Sequence, residues 1–450
     1  MKIAWFTPYH AHSAIGHYSQ QAVAELRKED EVLVFAPAPA AGVVPPPRSD
    51  GGPVETVGDG PHDDLLQTLQ GCDMVVYNMG DHHFNHKMVY EASIRHPGIV
   101  ILHDLVLRGF FRGYDLQQRR DPDGITRHLL YNEGPTDAPT SWVMRQRRRR
   151  EIMDDAAGLD FPMFKSALRR CLGVIVHSEY SRERVAAATS SPVAMLDFPP
   201  FGPCVSHAQE TTARQAHPSG KTRLLTFGVL NSNKLIHKVI EQIGQSRYLR
   251  GNVTYTVIGK GEDDYEQHLR DVISAYDLTS VVCLAGRLSD RDLWRELTRA
   301  DLVLNVRNPH FGESSSSLLN ALFAGAATIV WNHGCYAEFP DNVVHKISSE
   351  DELTRALERL CRDRPLRERL GSNARRHALA RFDPTVYCRR FHDFADEVRS
   401  ARPVLALTDL LSDRLLEFGE RPPNGLVERL AGEVAALAGP IAKKSASIAA

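Results

Sequence analysis

The chain has 450 residues, 42% hydrophobic and 24% charged, an ordinary balance for a soluble globular protein of two domains or one large one. A formal net charge of −2 argues against nucleic acid or an anionic membrane as the main partner. Seven cysteines, scattered from Cys72 to Cys388 without a C-x-x-C pair, fit reduced thiols better than a disulfide frame or a zinc site. The start, "MKIAWFTPYH", reads as a strand and a turn without the apolar core of a signal peptide. No apolar run is long enough to span a bilayer, so a cytoplasmic location is expected.

In chain order, "KIAWFTP", "EVLVFAP", "MVVYNMG", "GIVILHD" and "GVIVHSE" each read as a buried strand ending in turn residues. Such continuous apolar runs suit a parallel sheet covered on both faces. Helix-like stretches lie between them, for instance 17–28 and 164–172, giving a βαβ pattern. "APAAGVVPPPRSDGGP" (39–53 for its greater part) is a Pro/Gly loop. Residues 206–221 are small and polar and read as a linker. The alternation then restarts with "RLLTFGVL", "VTYTVIGKG", "VVCLAGRLS", "DLVLNVRN" and "ATIVWNHG". The expected organisation is an N-terminal Rossmann-like domain (1–205), a linker (206–221), a second Rossmann-like domain (222–385) and C-terminal helices (386–450). Two doubly wound α/β domains would turn their strand ends, and a ligand, toward a shared cleft. From 403 the apolar spacing makes amphipathic helices split by "RPPNG". Packing on the core is the default for this tail; self-association or contact with a membrane surface stays open.

The chemistry concentrates at "FGESSSSLLNALFAG" (311–325). A helix start exposes unpaired N–H groups and the positive end of the macrodipole, a ready phosphate site. Gly312 permits close backbone approach, and small serines leave the entrance open. Glu313 suits hydroxyls of a sugar attached to that phosphate. The plainer alternative is simple N-capping of a core helix beside a solvated Glu. In "FGVLNSNKLIHKVIEQI" (227–243), Lys234 sits near a helix start beside Asn231 and Asn233, where it would neutralise a diphosphate leaving group; the alternative is a surface lysine. "VIGKGEDD" (257–264) is a further, weak glycine turn. The turn at Arg287 and Leu288, ahead of the helix cap Ser289, would face a nucleotide base through its backbone.

Together these strings resemble the retaining nucleotide-sugar glycosyltransferases of the GT-B fold, close to glycosyltransferase family 4. "GRLSDRDLWRELTRADLVLNVRNPHFGESSSSLLNALFAGAATIV" and "GCYAEFPDNVVHKI" carry most of the likeness. "SAIGHYS" (13–19), "YNMGDHHFNH" (77–86), "LHDLVLRGFF" and "GVIVHSEYSRERV" extend it through the first half, for coverage of about residues 1–395.

The resemblance implies a nucleoside-diphosphate sugar as donor, a carbohydrate or lipid-linked acceptor, and no metal or other cofactor. By analogy Glu313 contacts the donor sugar. Gly228, Asn231 and Gly312 bind the donor, and Ser314, Ser315 and Ser316 hold the diphosphate together with Lys234. Ala14, Ile15 and Gly16 form a loop that closes over it. His103 faces the transferred sugar, and Asp81, His86 and Asp104 lie on the acceptor side. Departures from the family pattern fall at Val229 (often Arg), Ala14 (Gly), Asp81 (Asn) and Asn320, which stands where a ribose-binding Glu would fall and is expected to bind the donor by hydrogen-bonding a ribose hydroxyl, less strongly than a carboxylate. Glu313 is one place off the first Glu of the family's paired glutamates. Two rival readings stay open: a phosphorylase or epimerase on the same fold, and a degenerate, non-catalytic sugar-binding protein.

Three other signals weigh less. "DHHFNH" reads as loop or acceptor-site residues before a metal cluster. "DPD" (121–123) reads as a solvated turn. "RQRRRRE" (145–151) reads as a solvated basic face, with an anionic acceptor or lipid headgroup as the minority case.

Overall fold

The computed structural model describes residues 1–9, 13–38, 54–57, 63–133, 159–207, 220–417, 425–430, 432–434 and 436. The Pro/Gly loop at 39–53, the basic run at 145–151, most of the linker and most of "RPPNG" lie outside the described residues. The chain divides into two compact units. The first comprises Met1–Arg149, Phe161–Leu196 and Thr385–Ala450; the second comprises Arg150–Asp160 and Asp197–Pro384.

The first unit holds a seven-stranded parallel sheet. Its strands are β1 (Lys2–Phe6), β2 (Glu31–Pro37), β3 (Val54–Val57), β4 (Met74–Met79), β5 (Ile99–Leu102), β6 (Gly173–Val176) and β7 (Val193–Met195), in the order β3-β2-β1-β4-β5-β6-β7. Every residue of β4, β5 and β6 is buried, which is why these strands read as unbroken apolar runs. The second unit repeats the plan with six parallel strands: β8 (Thr222–Phe227), β9 (Val253–Ile258), β10 (Val282–Gly286), β11 (Leu302–Asn305), β12 (Ala327–Trp331) and β13 (His345–Ile347). Their order is β10-β9-β8-β11-β12-β13. Its core interleaves strand residues such as Leu224, Tyr255 and Ile329 with Val239, Ile240, Ile243, Leu353 and Leu357 from the covering helices.

Three strands lack a signal in the sequence: β3, β7 and β13. Each lies at a sheet edge and has three or four residues, and β3 and β7 contain no buried residue. An edge strand needs no continuous apolar run, because it is covered on fewer sides.

The unit boundaries also differ from the sequence expectation. Residues 197–205 group with the second unit, where Arg381 pairs with Asp197 at 2.8 Å and Asn320 binds the backbone of Phe201 and Cys204. Residues 385 onward group with the first. The C-terminal helix begins at Pro384 and runs unbroken through Pro403 to Glu417. Tyr387, Phe391, Phe394 and Val398 recur on one face and are buried in the first unit. A Cβ at Gly173 would lie 2.4 Å from Val398 Cγ2, so this helix packs directly on β6. His392 Nε2 lies 2.7 Å from Asp30 Oδ2, and Arg390 donates to the Met195 carbonyl at 2.9 Å. The apolar spacing from 403 falls on the second half of this same helix, where no described residue beyond Ala401 is buried.

Candidate active site

In each unit the strand order reverses beside the first strand, between β1 and β4 and between β8 and β11. Ligands of open parallel sheets bind outside the strand C-termini at this point. Gly228 and Lys234 lie beside the end of β8, and Ile15, His86 and Asp104 meet around Gly80 after β4.

In the second unit β8 is followed by Gly228, with φ +100°. A side chain at this position would place its Cβ 2.8 Å from Lys234 Nζ and 3.1 Å from Ser317 Oγ, so only glycine allows the two groups to meet. Lys234 is buried and donates to the Phe227 carbonyl at 3.0 Å; Ser317 Oγ donates to the same oxygen at 3.4 Å. Burial pushes the Lys234 ammonium well below its ordinary range. Arg307 pushes it the same way, and Glu313 opposes them. A dianionic diphosphate would restore the charge by giving the buried ammonium a partner.

The helix Ser316–Phe323 starts beside Lys234. Its N-cap is Ser315, whose Oγ accepts from Leu318 N at 3.1 Å and from Asn305 Nδ2 at 3.2 Å. The plainer capping role therefore falls to the Ser315 hydroxyl, while Ser314 and Ser316 are half-buried at the helix mouth. Gly312 has φ +73°, and its amide donates to His310 Nδ1 at 3.2 Å. Glu313 is buried. Arg307 Nη1 donates to its Oε1 at 2.7 Å and Phe311 N to its Oε2 at 2.7 Å. Asn231 is exposed and opens the short turn that carries Lys234.

The weak glycine turns become informative in space. Gly228, Gly259 and Gly286 close three adjacent strands, all with positive φ. Gly228 N donates to the Ile258 carbonyl at 2.9 Å and Gly259 N to the Gly286 carbonyl at 2.8 Å. A Cβ on Gly259 would lie 1.9 Å from the Gly228 oxygen. This low glycine row ends in Arg287, which is exposed, and Leu288, which is half-buried.

Asn320 sits otherwise than the ribose role requires. Its Nδ2 donates to Ser316 O at 2.9 Å and to Phe201 O at 3.2 Å, and its Oδ1 accepts from Cys204 N at 3.0 Å. Both amide hydrogens are spent inside the unit, so the side chain works as a tie between two backbone segments.

In the first unit Ala14, Ile15 and Gly16 form the first turn of the helix Ala14–Leu26, not a loop. Ser13 caps it by accepting from Gly16 N at 3.1 Å, which draws these residues into helical backbone. Gly80 follows β4; its missing Cβ would approach Ile15 Cδ1 (2.6 Å), His86 Nε2 (2.9 Å) and Asp104 Oδ2 (3.0 Å), so these three residues meet around it. His103 follows β5 and is buried. Asn78 Nδ2 donates to Phe6 O at 2.9 Å, so Asn78 Oδ1 is the acceptor for His103 Nε2 at 3.0 Å. The network thereby assigns the His103 proton to Nε2. Burial, then His177 and His86, holds His103 well below its ordinary pKa and keeps the ring neutral. Tyr18 packs edge-on against His103 with ring centroids 4.7 Å apart.

Sequence reasoning missed Arg307, Ser317, Asn78 and Tyr18. Asn78 carried a signal, a polar residue inside the otherwise apolar "MVVYNM". Arg307 carried none, since its partner Glu313 meets it only through the fold of the loop. Among the described residues no group of three or more His, Cys, Asp or Glu could hold a metal ion, and no helix is long and apolar enough to cross a membrane. All seven cysteines are free thiols.

Residues 208–377 match the family model for glycosyl transferases group 1. No curated protein matches the chain by sequence. Among solved structures, Anabaena Alr3699/HepE in complex with UDP is similar over 88% of this chain and 100% of its own, at 17% identity and a TM-score of 0.60. Sucrose-phosphate synthase from Thermosynechococcus elongatus is similar over 89% and 100%, at 13% identity and a TM-score of 0.56. WaaG, a glycosyltransferase involved in lipopolysaccharide biosynthesis, is similar over 88% and 99%, at 13% identity and a TM-score of 0.51. The fold is GT-B: two Rossmann-like α/β units with a helical C-terminal extension.

Proposed function

We propose that this protein is a glycosyltransferase that moves a sugar from a nucleoside-diphosphate donor to an acceptor hydroxyl, with retention of anomeric configuration and without a metal. The observation that carries this reading is the convergence of Lys234 Nζ and Ser317 Oγ at Gly228, beside the start of the helix Ser316–Phe323. The family match over residues 208–377 supports it, as does the likeness to HepE, solved with UDP and with UDP-glucose.

As the bond to the sugar breaks, negative charge grows on the leaving diphosphate. A buried ammonium and the free amides of a helix start stabilise that charge without a metal. The neutral His103, with its lone pair on Nδ1, is suited to accept a hydrogen bond from a sugar hydroxyl. Asp81, His86 and Asp104 would serve the acceptor, a glycan, a glycolipid or a small molecule. The site would work in the cytoplasm. The half-exposed second half of the C-terminal helix is the part suited to self-association or to a membrane surface.

One observation favours the degenerate, sugar-binding reading: the side chain expected at the ribose is tied into the fold at Asn320. Incubation with a panel of nucleotide sugars and glycan acceptors in the presence of EDTA separates the two. Release of nucleoside diphosphate, abolished by Lys234→Met, with an NMR-assigned retained anomer, is the expected result. Nucleotide binding without turnover for every donor and acceptor would favour the degenerate protein. Folded protein that binds no nucleotide would overturn both donor-site readings.

A further inference from the structure

Arg307 and Glu313 are six residues apart, and the loop between β11 and the helix Ser316–Phe323 folds them together. Both side chains are largely buried, at 15% and 10% exposure, with Nη1 and Oε1 2.7 Å apart. The Phe311 amide takes the other carboxylate oxygen at 2.7 Å. Two donors on two different oxygens fix the plane of the carboxylate and leave each oxygen a further lone pair. The surroundings are costly. Arg307 Nε is buried without a hydrogen-bond partner. A buried guanidinium nitrogen left unpaired in this way calls for a reason beyond packing. The rings of His310 and His333 stack at 4.2 Å, and Cys335 Sγ donates to the Glu313 carbonyl at 3.2 Å.

We propose that Arg307 is a positioning residue for donor-sugar recognition: it orients Glu313 so that the remaining lone pairs accept hydroxyls of a neutral sugar and disfavour a sugar bearing a carboxylate. This rests on the donor-site reading above. The guanidinium charge is already matched by Glu313, so a second carboxylate would find no unpaired charge on Arg307. Arg307 acts through Glu313, which is why a charge-conserving lysine restores part of the effect and not all. Lysine keeps the charge but lacks the rigid fork.

The test measures dissociation constants by calorimetry on the full chain. The ligands are UDP, GDP, their glucose conjugates and UDP-glucuronate, and the proteins are wild type, Arg307→Met, Arg307→Lys, Glu313→Gln and the Met/Gln double variant. Expected in wild type is tighter binding of the glucose conjugate than of the glucuronate. Arg307→Met should lose about tenfold for the glucose conjugate while the nucleoside diphosphate changes by less than about threefold. Arg307→Lys should recover part of this loss. Arg307→Met should cost far less in the Glu313→Gln background, because the two residues act as one unit. Equal weakening of nucleotide and conjugate would assign Arg307 a structural role and overturn the proposal. So would an unchanged sugar preference in Glu313→Gln, a variant that keeps the side-chain shape if Arg307→Met fails to fold. Wild type that binds neither UDP nor GDP would overturn the donor-site reading itself, and this inference with it.

Discussion

The backbone amide of Asp81 donates to Asp104 Oδ2 at 2.9 Å, which brings two acidic side chains into one corner of the first unit. Asp81 Oδ1 in turn accepts from Phe110 N at 2.8 Å. Burial and the neighbouring Asp104 push the Asp81 carboxyl up to about 8, with hydrogen bonds and Arg108 opposing. At neutral pH this residue is therefore a protonated acid, close in shape and polarity to the Asn that the resembling family carries there. The folded pKa lies above the unfolded value of about 3.9, so stability falls as pH rises from about 4 through 8. Asp81→Asn should match wild type near pH 4 and exceed it above pH 8, in Tm read across that range. Equal Tm values at pH 9 would show that Asp81 ionises without cost.

Gly228→Ala should abolish nucleotide binding and lower stability by about 1–3 kcal/mol. It forces an L side chain into φ +100° and drives a methyl group toward Lys234 Nζ. Val229→Ala, one residue on, removes a side chain that is 65% exposed and should change stability by less than about 0.5 kcal/mol. Thermal unfolding with and without UDP or GDP distinguishes the pair.

Asn320→Asp should destabilise the protein by about 2–3 kcal/mol at pH 7. The substitution removes two donors and points a carboxylate at the carbonyls of Ser316 and Phe201. Asn320→Glu should not improve nucleotide affinity, since the longer acid displaces the tie to Cys204 N before it reaches a ligand. Urea unfolding and nucleotide titration of both variants check these outcomes. A tighter-binding Asn320→Glu would return this position to the ribose.

Asp115 provides a second pH-dependent site, outside the residues assigned to donor or acceptor. It is 1% exposed, its carboxyl lies against Gly124, and Oδ2 is 3.5 Å from His128 Nε2 with no hydrogen bond. Burial, then Asp121, raises its pKa to about 6, with Arg119 and Arg127 opposing. The shift is upward, so its contribution to stability is lost as pH rises from about 4 through 6. Asp115→Asn should stabilise the protein by about 1 kcal/mol at pH 8 and leave it unchanged at pH 4. Denaturant midpoints at the two pH values read this directly.

Phe391→Ala should cost about 3–5 kcal/mol, because the ring is fully buried 6.0 Å from Trp5 in the first unit. Ending the chain after Arg402 should barely move Tm, since the described side chains beyond it are half-buried or exposed. A large loss on that truncation would mean that the distal half of the helix is held by contacts its exposure does not reveal.

Much of this architecture is written locally. The central strands β4, β5, β6, β11 and β12 are buried along their whole length, so the hydrophobic effect demands nearly continuous apolar runs that any reader of the sequence can mark. Glycines at 228, 259 and 286 announce strand ends because positive φ favours glycine there, and Ser315 announces a helix start by its capping chemistry. What the sequence could not determine depends on partners far along the chain. Edge strands β3, β7 and β13 exist because a neighbouring strand offers them hydrogen bonds. Residues 385–401 belong to the first unit because β6 leaves room at Gly173 for Val398. Glu313 meets Arg307, and Asn320 ties down Phe201 and Cys204, only because loops bring those atoms within 3.2 Å. Short-range propensity and burial fixed the elements; long-range hydrogen bonds and steric fit decided which side chains remain available for chemistry.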